Sequence, residues 1–382
     1  MLKLRGMSTF RFPSRRSFLQ ALALAGSARL AHAATPLPRL PTVDEETRAA
    51  AKVARLQMLF EGRTPAELAV WQKAFAAELR QRLGPHDPPA RWSTALLSRK
   101  ELPDHLRTEW LLTGGGVPKL PLYLLQPSPA RHGPGPYPVI VALHGHGAYG
   151  HDTVAGIDDV PEIAASIRGA NYDYGRQLVR EGYLVVAPCF TPFGRRLDPN
   201  YAKSGKDPCA ITFVRLMLLG RTLMGENLRD ARWALDFALS RVEARRDRVG
   251  CVGLSYGGRM TMLTTAFDER IGAAVISGAL NVMQERVEIP YSCGGQVIPG
   301  LLEIGDTPEI GSLVAPRPCL WEAGTKDALI KPDWATKAKA RLAKAYAASG
   351  KPENLRFRHF EGKHAWDGVD ALPLLERALK RA

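Results

Sequence analysis

A strand-like run that ends in Gly253-Leu254-Ser255-Tyr256-Gly257 and passes directly into Met260-Thr261-Met262-Leu263-Thr264-Thr265-Ala266-Phe267 restricts this chain more than any other stretch. Strand, sharp turn and helix have to follow one another within a few residues. Only small residues two positions either side of the turn let strand and helix approach so closely, and Gly253 and Gly257 hold those positions. The turn lifts the Ser255 hydroxyl clear of a sheet, and the N–H of Tyr256, heading the next helix, points at an oxygen bound there. Ser255 is therefore a candidate nucleophile and Tyr256 a candidate oxyanion donor. A glycine-rich turn with a structural serine satisfies the same pattern, so the assignment depends on partners elsewhere in the chain.

At 382 residues and 45% hydrophobic content the chain can bury a large core, and strands alternating with helices predict one large α/β domain with a mostly parallel sheet. The formal charge is +14, but Lys3, Arg5, Arg11, Arg15, Arg16 and Arg29 crowd into the first 33 residues, which hold no acid. The other basic residues are scattered, apart from 241–248, which reads as a solvated loop before a strand. No basic stripe with interleaved aromatics is present, so nucleic-acid binding is not expected. Ser14-Arg15-Arg16-Ser17-Phe18-Leu19, the weakly apolar run 19–30 and Ala31-His32-Ala33 resemble a twin-arginine signal peptide over residues 1–33. This predicts passage through the twin-arginine export machinery and a periplasmic or secreted mature protein. No run reaches the ~18 apolar residues of a membrane span, so no membrane partner is expected after signal removal.

Residues 34–104 read as a helical extension: Asp44-Glu45-Glu46 supplies a first-turn acidic cluster, and Thr64-Pro65-Ala66-Glu67 supplies an N-cap, a proline at the first helical position and a glutamate at the third. From 105 to 382 the pattern is that of a catalytic α/β domain. Two strands, 108–113 and 120–125, form an opening hairpin. The apolar run 138–143 reads as a buried parallel strand and ends in His144-Gly145-His146-Gly147. A glycine-rich turn at such a strand end can bring backbone N–H groups against a reacting carbonyl, and the N–H of His146 is the candidate second oxyanion donor. Further strands are expected at 183–188, 271–277, 318–324 and 355–360. The segment 279–312, rich in Gly and Pro, reads as a small cap or substrate-contacting insertion.

Serine, then acid, then histidine, each just beyond a strand end, is the order Ser255, Asp327, His364. In this arrangement Ser255 attacks, His364 takes and returns the proton, and Asp327 holds the imidazole. Glu322 is the alternative acid. It lies within the strand, where alternation sinks it toward the sheet unless a bulge re-aims it. Arg195, Arg196 and Arg221 are read as structural ion-pair partners. Cys189, Cys251 and Cys319 lie in apolar runs and read as core residues, whereas Cys209 and Cys293 lie in loops and are free to pair in an oxidising compartment. No Cys/His spacing typical of a metal site is present, and no metal or organic cofactor is expected.

His144-Gly145-His146-Gly147, Leu219-Gly220-Arg221-Thr222-Leu223-Met224-Gly225, the serine turn, Ile298-Pro299-Gly300-Leu301-Leu302, Ala315-Pro316-Arg317-Pro318, Gly324-Thr325-Lys326-Asp327 and Glu361-Gly362-Lys363-His364 together resemble the dienelactone-hydrolase-like branch of the α/β-hydrolases. In particular they resemble bacterial acetyl-xylan-esterase-like proteins. The resemblance runs from about residue 105 to the C-terminus. It implies the α/β-hydrolase fold and an exported serine esterase acting through an acyl-enzyme on acylated carbohydrate or another small ester. Dienelactone hydrolases proper use cysteine where this chain has Ser255. Two other readings are a serine peptidase of the prolyl-oligopeptidase type, whose serine turn is similar, and an inert binding protein on a hydrolase scaffold.

Overall fold

The computed structural model describes residues 39–289 and 293–380; the export signal expected over 1–33 lies outside them. The chain divides into two units, Met1–Glu46 and Thr47–Ala382, and the second holds the whole sheet. Nine strands are described: β1 (Trp92–Glu101), β2 (His105–Gly114), β3 (Leu120–Pro127), β4 (Tyr137–Leu143), β5 (Leu184–Pro188), β6 (Ala244–Leu254), β7 (Ile271–Ser277), β8 (Cys319–Gly324) and β9 (Leu355–Phe360). Their order in space is β1-β2-β3-β5-β4-β6-β7-β8-β9. The first three strands and β5 pair antiparallel, and all pairs from β5 through β4 to β9 are parallel.

Among the described residues, the helices of seven residues or more are α1 (Val43–Lys52), α2 (Pro65–Leu83), α3 (Pro161–Ala170), α4 (Tyr174–Arg180), α5 (Pro208–Met217), α6 (Leu223–Leu239), α7 (Tyr256–Phe267), α8 (Pro332–Ala348) and α9 (Ala371–Leu379). Helices α4, α6, α7, α8 and α9 cover the two faces of the sheet. Val139, Val141 and Leu143 of β4 share one core with Leu228 of α6, Met260 of α7 and Leu342 of α8. Ile140 and Ala142 point the other way and pack with Leu178 of α4 and Leu375 of α9. Burial on both faces is why the central strands are continuously apolar instead of alternating.

Two boundaries differ from the sequence reading. The stretch 92–101, placed there in the helical extension, is strand β1, so the sheet begins at Trp92 and not near residue 105. All but the first of its ten residues are exposed, so this edge strand carries no burial pattern to betray it. Likewise β6 starts at Ala244, taking in most of the arginine-rich 241–248 stretch; Tyr137 pairs with Ala244 and Pro138 with Arg245 before the register shifts. The N-terminal helices behave differently from each other. Thr64 and Glu67 form the expected capping box on α2, which buries Leu68, Phe75, Leu79 and Leu83. By contrast α1 buries none of its residues.

Candidate active site

Ser255 occupies the turn from β6 into α7 with φ 65° and ψ −122°. A side chain at positive φ is strained, and the surroundings hold it there. Its N–H donates to the Ser277 carbonyl at 2.9 Å, fastening the turn to the end of β7. A Cβ at Gly257 would lie 1.9 Å from the Leu143 carbonyl oxygen, and one at Gly253 2.4 Å from that of Gly257. Both glycines are thus required by backbone meeting backbone. Gly258 is equally confined, with Ser277 O at 2.4 Å from its would-be Cβ.

His364 lies in the loop after β9. Its Nδ1 and Asp327 Oδ2 are 2.6 Å apart, and Asp327 Oδ1 accepts the Leu329 N–H at 2.9 Å. The two loops are tied together: Lys326 N–H donates to Gly362 O at 2.8 Å, and Thr325 N–H to Phe360 O at 2.9 Å. The ring rests over Gly278, where a Cβ would come within 2.7 Å of His364 Cε1. At the other ring edge, buried Nε2 has no hydrogen-bond partner among the described residues. Glu322, the alternative acid, is turned elsewhere. It is fully buried in β8, and its Oε1 accepts the Gly368 N–H at 3.3 Å. Burial pushes its carboxyl up to about 7.

Ser255, His364 and His146 line one cavity of about 360 Å³. The turn that carries His146 is anchored on both sides. His144, buried and pushed down to about 4 by that burial, accepts the Phe190 N–H on Nε2 at 2.8 Å. Gly145 N–H donates to Tyr172 Oη at 2.8 Å and is thereby occupied. Tyr256, first residue of α7, buries its side chain and receives Asn227 Nδ2 on its hydroxyl at 2.7 Å.

Four further polar residues of this cavity escaped the sequence reading: Arg259, Asn281, Arg286 and Gln296. Arg259 donates to Asn281 Oδ1 at 2.6 Å and Thr307 Oγ1 at 3.4 Å, and makes no ion pair among the described residues. Burial first, then the nearby Arg286, push it down to about 9, so it remains cationic at neutral pH. Its spacing from Ser255, one helical turn on, was the available signal. The arginines singled out earlier are all paired instead: Arg195 with Glu109, Arg196 with Asp230, and Arg221 with Glu226. Three of the lining residues, Asn281, Arg286 and Gln296, come from the 279–312 segment.

All five cysteines are free and buried. Burial raises the thiols of Cys189, Cys251 and Cys319, in keeping with inert core positions. Cys209, at the start of α5, and Cys293 lie side by side with His146, whose Nε2 is 2.8 Å from Cys293 Sγ. The Cys209 thiol, followed by His146, favours the thiolate of Cys293, and the same contact with Cys293 raises Cys209.

A central sheet covered on both faces, with a strained serine at a strand-to-helix turn and a histidine–aspartate pair on later strand ends, is the α/β-hydrolase fold. Residues 160–290 match the Dienelactone hydrolase family. A candidate hydrolase of Bacillus subtilis (strain 168), YtaP, is 29% identical over 265 residues, covering 68% of this chain and 82% of that one. Among solved structures, a candidate acetyl xylan esterase from Bacteroides fragilis NCTC 9343 superposes with a TM-score of 0.74 at 19% identity, covering 89% of this chain and 96% of that one. A glucuronoyl esterase from Teredinibacter turnerae T7901 gives a TM-score of 0.58 at 17% identity, covering 95% of this chain and 99% of that one.

Proposed function

We propose that this protein is a serine carboxylic-ester hydrolase that works through an acyl-enzyme, and that its substrate is an acylated carbohydrate or a similar small ester. The observation that carries the proposal is the 2.6 Å His364–Asp327 pair beside the cavity that also exposes Ser255. With Asp327 fixing the proton on Nδ1, His364 Nε2 is left as the base that takes the Ser255 proton and returns it to the leaving alcohol. Ser255 Oγ then bonds the acyl carbon, the alcohol departs, and water repeats the sequence to release the acid. The N–H groups of Tyr256 and His146 are assigned to the oxyanion; use of the Gly145 N–H by Tyr172 supports His146 over its neighbour. The carbohydrate assignment is supported by the named esterases among the similar structures, and the export assignment by Arg15-Arg16 and the run that follows.

The cationic side of the cavity favours a second reading of the substrate within the same chemistry. Arg259 and Arg286 suit an ester of a sugar acid, whose released carboxylate they would stabilise. The deciding assay compares acid release from acetylated xylo-oligosaccharides, a uronate methyl ester and a simple aryl acetate, for the parent and Ser255→Ala. Ser255-dependent release of acetate supports the first substrate class, and cleavage of the uronate ester supports the second. Turnover of the aryl ester alone discards both carbohydrate assignments and keeps the mechanism. A folded Ser255→Ala variant that retains more than a few per cent of activity refutes the serine mechanism.

A further inference from the structure

The ester chemistry draws on the backbone N–H of His146 but uses neither its ring nor the thiols of Cys209 and Cys293, yet three distant chain segments converge to bring these side chains together. His146 comes from the turn after β4, Cys209 from the first turn of α5, and Cys293 from the residue before the short turn Gly294–Gln296. One ligand-type atom from each, Nε2 and two Sγ, lies within 4.8 Å of the others. Both sulfurs are almost wholly buried, while His146 reaches the catalytic cavity. The surroundings resemble those of a thiolate ligand set. Cys293 Sγ receives the Gly295 N–H at 3.3 Å, and the Cys209 N–H is held by Asp207 Oδ1 at 2.9 Å. The His146 ring is wedged between Phe193 and Tyr256, with centroids 5.1 and 5.0 Å away.

We propose that His146 Nε2, Cys209 Sγ and Cys293 Sγ form a binding site for a thiophilic cation of the zinc class, set in the wall of the catalytic cavity. Two sulfurs and an imidazole, with no carboxylate in the group, select against calcium and magnesium and for a soft d10 ion. Zinc bonds of about 2.3 Å to sulfur and about 2.0 Å to nitrogen put tetrahedral donors roughly 3.5–3.8 Å apart. The three atoms lie within 4.8 Å of one another, and the 2.8 Å His146–Cys293 contact has to open by less than about 1 Å to reach that range. Gly147, Gly294 and Gly295 flank the two moving segments. On binding, each ligating thiol releases its proton to solvent, and His146 ligates as the neutral ring with its proton on Nδ1. No electron transfer is involved. The ion would fasten the His144–Gly147 turn to the 293–296 segment. The inference is independent of the esterase proposal.

The test uses the full chain, reduced and stripped of metal by a chelator, and titrated with cobalt(II). One equivalent should produce a thiolate-to-cobalt charge-transfer band that zinc then abolishes by displacement, and zinc should raise the melting temperature. Cys209→Ser and Cys293→Ser should each weaken the band and lower zinc affinity at least ten-fold, while Cys319→Ala, in the sheet core, changes neither. Circular dichroism without metal checks that the variants fold, and His146→Ala replaces any that does not. Absence of the thiolate band in the reduced parent overturns the proposal. So does unchanged zinc affinity in a folded Cys209→Ser protein, or a Cys209–Cys293 disulfide in the protein as isolated.

Discussion

Asp327 and Glu322 stand five residues apart and meet opposite fates. Asp327 lies beyond the end of β8 and shares a 2.6 Å hydrogen bond with His364, whereas Glu322 lies within the strand, on the face that Leu320 shares with the α9 side of the core. Asp327→Asn is expected to lower kcat by about 10³–10⁴ without unfolding the protein, because the amide no longer holds the productive tautomer. Glu322→Gln should leave kcat within a few-fold of the parent; steady-state assays of both variants check this. Glu322 keeps its proton up to about 7 in the folded chain against 4.5 for an ordinary glutamate. The buried, protonated carboxyl favours the fold fully below 4.5, and this contribution is lost as pH rises through 7, an effect of up to about 3 kcal/mol. Urea unfolding should therefore show Glu322→Gln gaining on the parent between pH 5 and pH 8; an unchanged difference would contradict the buried carboxyl.

At the scale of elements, the β6–α7 junction depends on contacts that a single methyl group would destroy. Gly257→Ala places a carbon 1.9 Å from Leu143 O and 2.9 Å from His144 C, all of it backbone belonging to the neighbouring β4 and its turn. A cost of about 3 kcal/mol or more is expected, together with loss of activity from a displaced His146. Gly169→Ala is the matching control. Its added carbon meets nothing within 4 Å, and alanine in α3 should be neutral or stabilising by up to about 1 kcal/mol. Chemical denaturation of the two variants compares a glycine demanded by packing with one that is not.

Across the whole molecule, a buried ionic network joins the loop after β5 to α6. Arg229 bonds Asp230 at 2.7 Å and Glu226 at 2.5 Å, Arg221 reaches Glu226 at 2.6 Å, and Arg196 completes the set through Asp230. Asp230→Ala leaves two guanidinium groups desolvated with fewer partners. It is expected to cost about 3–5 kcal/mol, read as a lower urea midpoint. A loss under about 1 kcal/mol would mean that water reaches the network.

Local rules made much of this legible in one dimension. The serine turn, the Thr64 cap of α2 and the strands 271–277 and 355–360 all appear where turn chemistry and apolar runs place them. Strand β1 did not, because an exposed edge strand owes its conformation to its partner β2 and not to its own side chains. Ser255, Asp327 and His364 could be chosen from their order at strand ends, since a parallel sheet brings those ends to one side. The Cys293–His146–Cys209 cluster and the arginine-bearing cavity wall could not. Their members are separated by long stretches of chain, and only the packing of loops on the finished sheet, which no local periodicity encodes, decides which of them touch.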